Sequence, residues 1–189
     1  MTTKSRTSVL KGITRPYGRH TPVPFSNPRE HTPVVLKDHL TMHLVGPDGK
    51  VKHQTEIIGN VVATYGLNRL CELIATGGEA SDLVAAARIG TDNTGATSND
   101  SRLLASTQSI ALSGASMDAS DQGDRTLRYV MTFASDGNAS QIREIGVYIS
   151  SNVTTGIWAR RDLTGAESVN RGASDEIRVS WDFVFTTAS

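Results

Sequence analysis

Histidines 39, 43 and 53 are the first residues in this chain that could do chemistry, because imidazole is the commonest metal ligand and general base. His39 and His43 are four apart in an alternating segment and therefore face the same way. A turn at Gly46-Pro47-Asp48-Gly49 would pair His43 with Lys52, His39 with Glu56 and His53 with Met42. That places His53 on the opposite face, so the three do not converge within one chain, although a site shared across a symmetry axis escapes the argument. Asp118, Asp121 and Asp124, with Gly123, suggest calcium. A calcium loop needs oxygens at every second position and a closing Glu, whereas the spacing here is three, which reads as a solvated acidic loop.

Nucleophilic chemistry finds no better footing. Gly114-Ala115-Ser116-Met117-Asp118 lacks the second glycine of a nucleophile elbow. Gly90 and Gly95 belong to no phosphate-cradling pattern. Cys71 falls among apolar helix positions, where an inert buried thiol is expected. As the only cysteine, it also excludes an intrachain disulfide or a CxxC site. No pair of carboxylates stands out as an acid and a base. The expectation is a protein without catalysis, metal or cofactor.

The elements that would position these residues are mostly strands. Leu40, Met42 and Leu44 alternate with polar residues, as do the residues from Val51 to Ile57, so 36–58 reads as a β-hairpin. Asn60 is the expected N-cap of a helix over 61–75 that ends near Gly77-Gly78, with Val62, Tyr65, Leu70, Leu73 and Ile74 as its apolar stripe. Gly66 inside it costs about 1 kcal/mol relative to Ala, which implies close packing against a sheet. Ala86–Gly90 and Arg102–Leu112 read as strands, separated by a polar loop over Thr91–Asp100. Gly114–Arg125 reads as a surface loop. Alternation returns at Leu127–Phe133 and Ile145–Ile149, Gly156–Leu163 carries Trp158, and Ile177, Val179, Trp181, Phe183 and Phe185 share one face of the last strand. The fold class is mainly β: an antiparallel, jelly-roll-like β-sandwich with one α-helix and an extended N-terminal arm.

Composition bounds the rest. The 189 residues suit one domain, with 38% hydrophobic content and balanced charge. The balance argues against a nucleic-acid coat or a polybasic membrane binder. No stretch approaches the roughly 20 apolar residues of a membrane span, and the N-terminus lacks the apolar run of a signal peptide. The expectation is a soluble protein made in the cytosol.

The zero total hides an asymmetry. Residues 1–36 hold six basic residues against Glu30 alone, a net of +5, and five of the six prolines; the remainder is −5. Proline-dense basic chain reads as an extended arm without its own core. The division expected is an arm over 1–36 and a sandwich over 37–189. Arg15, Arg19 and Arg29 can make bidentate contacts to a partner's carboxylates, and Tyr17 and Phe25 can anchor in its pockets.

Five segments taken in order carry a resemblance. They are Asn60–Leu67, Ala87-Arg88-Ile89-Gly90-Thr91 with Leu103-Leu104, Ile142–Tyr148, Gly156–Arg161 and Ile177–Phe183. The series resembles small structural proteins of tailed bacteriophages, often labelled tail or tail-fibre proteins. These share an N-x-V-x-x-x-G-L helix, an I-G-T strand, an R-E-I-G-V/L strand and a closing V-x-W strand. The resemblance spans about residues 36–186, and the arm departs from it. It implies a virion building block, a capsid decoration or a neck or tail component, that oligomerises with itself and contacts major capsid or neck and tail proteins. The alternative is a carbohydrate- or receptor-binding β-sandwich, which would present aromatic platforms. Burial of both Trp158 and Trp181 favours the structural reading. A hydrolase would need a cleft of converging His and carboxylate groups.

Overall fold

A computed structural model of the chain describes residues 34–59, 61–76, 84–112, 117–123, 125–149 and 156–187. The chain divides into Met1–Thr32 and Pro33–Ser189, and all described residues belong to the second unit. Two five-stranded antiparallel sheets face each other. The first has β1 (Val34–Val45), β2 (Val51–Ile58), β6 (Met117–Asp121), β7 (Thr126–Phe133) and β12 (Glu176–Thr187), in the order β2-β1-β12-β7-β6. The second has β3 (Val61–Val62), β4 (Ala86–Gly90), β5 (Ser106–Ala111), β9 (Glu144–Tyr148) and β10 (Ile157–Asp162), in the order β3-β10-β9-β4-β5. A small ladder joins β8 (Ser140–Ile142) to β11 (Val169–Arg171), and one helix, α1 (Thr64–Thr76), packs on β10. The expected mainly-β sandwich with one helix is the fold observed.

The core lies between the sheets and follows the alternation of their strands. Leu40, Met42 and Leu44 of β1, all four odd-numbered residues Leu127–Phe133 of β7, and Ile177, Val179, Trp181 and Phe183 of β12 are buried on one side. Ala87, Ile89, Ile145, Val147 and Ala159 meet them from the other sheet. Phe183 is the hub of an aromatic cluster, edge-on to Trp158 at 4.1 Å and to Tyr129 at 5.9 Å, and stacked on Trp181 at 5.3 Å between ring centroids. Such pairs add to what area burial alone contributes.

Several local expectations are corrected. β1 begins at Val34, which pairs with Thr187, so residues 34–36 belong to the sandwich and not to an arm. The hairpin register is displaced by two residues: His43 opposes Gln54, His39 opposes Ile58 and His53 opposes Leu44. One residue comes from the turn, which spans Gly46–Lys50, and the other from a bulge. Val45 pairs with Val51 and Leu44 with His53, so Lys52 has no cross-strand partner, and its ammonium instead reaches Asp175 at 2.6 Å. A two-residue shift preserves facing, and His53 still points away from His39 and His43.

The helix starts three residues late because Val61 and Val62 pair with Arg160 and Ala159; Asn60 lies outside the described residues. The inward face of α1 is Gly66, Leu70 and Leu73, leaving Tyr65 55% exposed and Cys71 at the surface, contrary to their expected burial. The expected loop over 114–125 contains β6, a hairpin partner of β7. Backbone pairing needs no apolar side chains, and the one large apolar residue there, Met117, is buried. The strand expected from Arg102 begins only at Ser106, because residues 102–105 cover the outer face of the second sheet.

Candidate functional site

Four of the five resemblance segments meet at the second sheet and its covered outer face, while Ile177–Phe183 lies in β12 of the first sheet. The route begins at a bulge in β10. Ile157 pairs with Tyr148 and Ala159 with Val147, so Trp158 is an extra residue. Trp158 and Ala159 both enter the core, and the parity of the strand then reverses, turning Arg160 outward opposite Gly146. Beside it on the same face, Glu144 of β9 is fully buried.

Arg160 and Glu144 form the centre of a saturated polar cluster. Arg160 donates from Nε and Nη2 to Glu144 Oε2 at 3.2 and 3.0 Å, from Nη1 to Asp100 at 2.7 Å, and from Nη2 to the Thr94 carbonyl at 2.9 Å. The backbone N–H groups of Leu104 and Ala105 donate to the two oxygens of Glu144 at 3.2 and 2.8 Å. Asp100 also accepts from the Thr97 N–H and hydroxyl at 2.9 and 2.8 Å. Burial opposes ionisation of Asp100, but the bonds from Thr97 and Arg160 outweigh it and hold its carboxyl below the usual range. Arg160 is likewise raised: burial works against its charge, and Asp100 and Glu144 prevail. The guanidinium thus locks the 91–105 segment onto β9 and β10.

Two glycines make the close approaches possible. A Cβ on Gly90 would overlap a Glu144 carboxylate oxygen and stand 2.6 Å from the Ala105 carbonyl. A Cβ on Gly66 would overlap the Trp158 carbonyl and lie 2.7 Å from its indole Cδ1. That carbonyl already accepts from the Ala63 N–H at 2.9 Å, so the helix turns back directly over Trp158. The inferred close packing of Gly66 is therefore correct. Tyr148 completes the layer by accepting the Leu103 N–H on its hydroxyl at 2.7 Å. Burial pushes this phenol up.

A second buried arginine was not anticipated. Arg171 donates through Nε to the Asp175 carbonyl at 3.1 Å and through Nη1 to Gln108 at 2.8 Å, and it also bonds the Ala134 carbonyl. Asp175 in turn holds Lys52 and the Gly172 N–H. No local pattern marked it, since Arg171 ends β11 between Asn170 and Gly172.

Among the described residues no group of three or more His, Cys, Asp or Glu is placed to hold a metal ion. His39 approaches only Glu56, at 3.9 Å. Asp118 and Asp121 accept from the backbone N–H groups of Ala119 and Gly123; Asp124 lies outside the described residues. Arg15, Tyr17, Arg19, Phe25 and Arg29, the arm residues expected to contact a partner, also lie outside the described residues. Trp158 and Trp181 are both fully buried.

One accessible feature among the described residues is a groove of about 370 Å³ at the side where β2 leaves one sheet and β3 enters the other, with Lys37 and Asp38 in its lining. Leu36, Ile58, Val62 and Leu67 line it, with Ile58 80% exposed and Leu67 44% exposed. No described helix is long and apolar enough to cross a membrane. No family model, curated protein or solved structure matches the chain.

Proposed function

We propose that the chain is a non-enzymatic structural subunit of a tailed-bacteriophage virion, self-associating and attached to capsid, neck or tail proteins through its N-terminal arm. The observation that carries this reading is the use made of four of the five resemblance segments. Gly66 serves close packing on Trp158, Gly90 makes room for Glu144, and Glu144 and Arg160 neutralise each other in a covered layer. Residues that a catalyst or a lectin would present to solvent are here spent on rigidity. The burial of both tryptophans supports the same reading against a carbohydrate-binding module, whose aromatic platforms would be exposed.

The basic, proline-dense N-terminal segment is the attachment device, and its charge complements a body of net −5. Deleting residues 1–33 tests this, since every described strand begins at Val34 or later. The truncated protein is expected to fold with near-normal stability and to be missing from particles assembled in its presence. Normal incorporation would refute the attachment role.

A further inference from the structure

We propose that Arg88, seated on the ring of Tyr148, is a preformed receptor for a carboxylate on the outer face of the second sheet, a site that does not depend on the virion reading. Arg88 stands in β4 between the buried Ala87 and Ile89, so alternation points it away from the core. Its guanidinium carbon lies 5.9 Å from the centroid of the Tyr148 ring, within reach of a cation–π contact. The ring is itself fixed, because Tyr148 is buried and its hydroxyl accepts the Leu103 N–H. A cation held in this way is positioned before any ligand arrives, which lowers the cost of binding.

What the guanidinium lacks is an acceptor. Arg88 makes no hydrogen bond or ion pair with the described residues, and its Nε is buried without a partner. The two Nη groups are also unbonded but are not enclosed, so the end of the fork opens to solvent. Every other buried or half-buried arginine among the described residues donates to a carboxylate, an amide oxygen or a carbonyl. Glu144 shares the face of Arg88 and opposes Gly90, two residues along β4. Its carboxylate is already filled by Arg160 and by the Leu104 and Ala105 N–H groups. The described fold supplies an acid for Arg160 and none for Arg88. Across the ladder Arg88 faces Ser109 of the edge strand β5, and both Ser109 and Ala111 are exposed, so small side chains line the approach from the sheet edge. A planar carboxylate accepts two parallel bonds from paired Nη groups, the geometry that arginine serves best, and the Ser109 hydroxyl can add a further donor.

Titrating the full-length protein with sodium acetate tests the site, with ionic strength held constant by sodium chloride and the backbone amide signals of Leu103 and Ser109 followed by NMR. Saturable shifts are expected, with half-saturation at about 10–80 mM, the binding constant that one charge-assisted pair supports. Arg88→Lys keeps a cation beside Tyr148 but loses the fork, and should bind acetate about tenfold more weakly. Arg88→Gln should show no saturation at all. A second arm finds the source of the carboxylate, using the capped peptide Ser-Val-Glu-Val-Ser. Affinity at least tenfold above that of acetate would support the site as one for an acidic side chain of a protein partner, and equal affinity would support it as one for a free small carboxylate. Shifts that rise linearly without saturation would overturn the proposal. So would parent-like titration of either variant, and Arg88→Lys, which leaves the charge in place, decides the matter even if Arg88→Gln fails to fold.

Discussion

The indole Nε1 of Trp181 donates to Asp38 at 2.8 Å, joining the central strand β12 to its neighbour β1 through two buried side chains. Trp181 also stacks on Phe183, which reaches the second sheet through Trp158. One residue therefore ties the carboxylate of one strand to the aromatic bridge between the sheets. Trp181→Phe keeps most of the packing but removes one donor from a buried carboxylate, and is expected to cost about 1–3 kcal/mol. Trp181→Ala also opens a cavity and should cost about 3–5 kcal/mol. Urea unfolding of the two variants measures both values, and a Trp181→Phe variant as stable as the parent would show that the bond to Asp38 contributes nothing.

Gly66→Ala sets local preference against packing. Alanine is favoured over glycine by about 1 kcal/mol inside a helix. Here its methyl would meet the Trp158 carbonyl and indole, and overpacking of this kind costs about 1–3 kcal/mol. The net expectation is a lower melting temperature together with a changed Trp158 environment in near-UV circular dichroism. A stabilised variant would mean that α1 can lift from β10 without penalty.

Arg160→Met removes the cation from the layer beneath residues 91–105. Glu144 would keep only the Leu104 and Ala105 N–H groups, and Asp100 would keep Thr97. Breaking a buried pair from one side is expected to cost about 3–5 kcal/mol. Hydrogen exchange should show the loss concentrated in residues 91–105 and in β9 and β10. A uniform loss of less than about 1 kcal/mol would contradict the role given to Arg160.

Acid sensitivity follows from the carboxylates whose values are lowered. Asp100 is held down by Thr97 and Arg160 against its burial, Asp92 by Thr94, and Asp175 by Lys52 and Gly172. Each sits below its unfolded value, so the stabilisation is complete above the unfolded value, about pH 4, and is lost as pH falls through the folded one. The melting temperature should be flat from neutral pH to about 5 and should fall below about 4. Asp100→Asn should be less stable at neutral pH and show a shallower acid decline. An unchanged slope would remove Asp100 from this account.

Much of the sandwich was legible along the chain, because a strand with one buried face writes its environment as alternation. Leu127–Phe133 and Ile177–Phe183 are buried at the positions that this period marks. The turn at Gly46–Gly49 is local chemistry, and it too was readable. Gly66 could be interpreted as a packing glycine because its helical penalty needed a reason. The pattern was silent at β6, β8 and β11, short strands that each offer a single large buried apolar residue, Met117, Ile142 or Val169, and so no alternation to read.

What the tertiary structure alone decided is where the charges go. The bulge at Trp158 reverses the parity of β10, and only then does Arg160 meet Glu144 from the neighbouring strand and Asp100 from the covering loop, 16 and 60 residues away in sequence. The bulge at Lys52 likewise frees its ammonium for Asp175, 123 residues on. Periodicity assigns faces only while the ladder is regular. A single inserted residue changes the face of everything beyond it, and it is adopted because the aromatic core and the paired charges favour it together, a balance that no local segment contains.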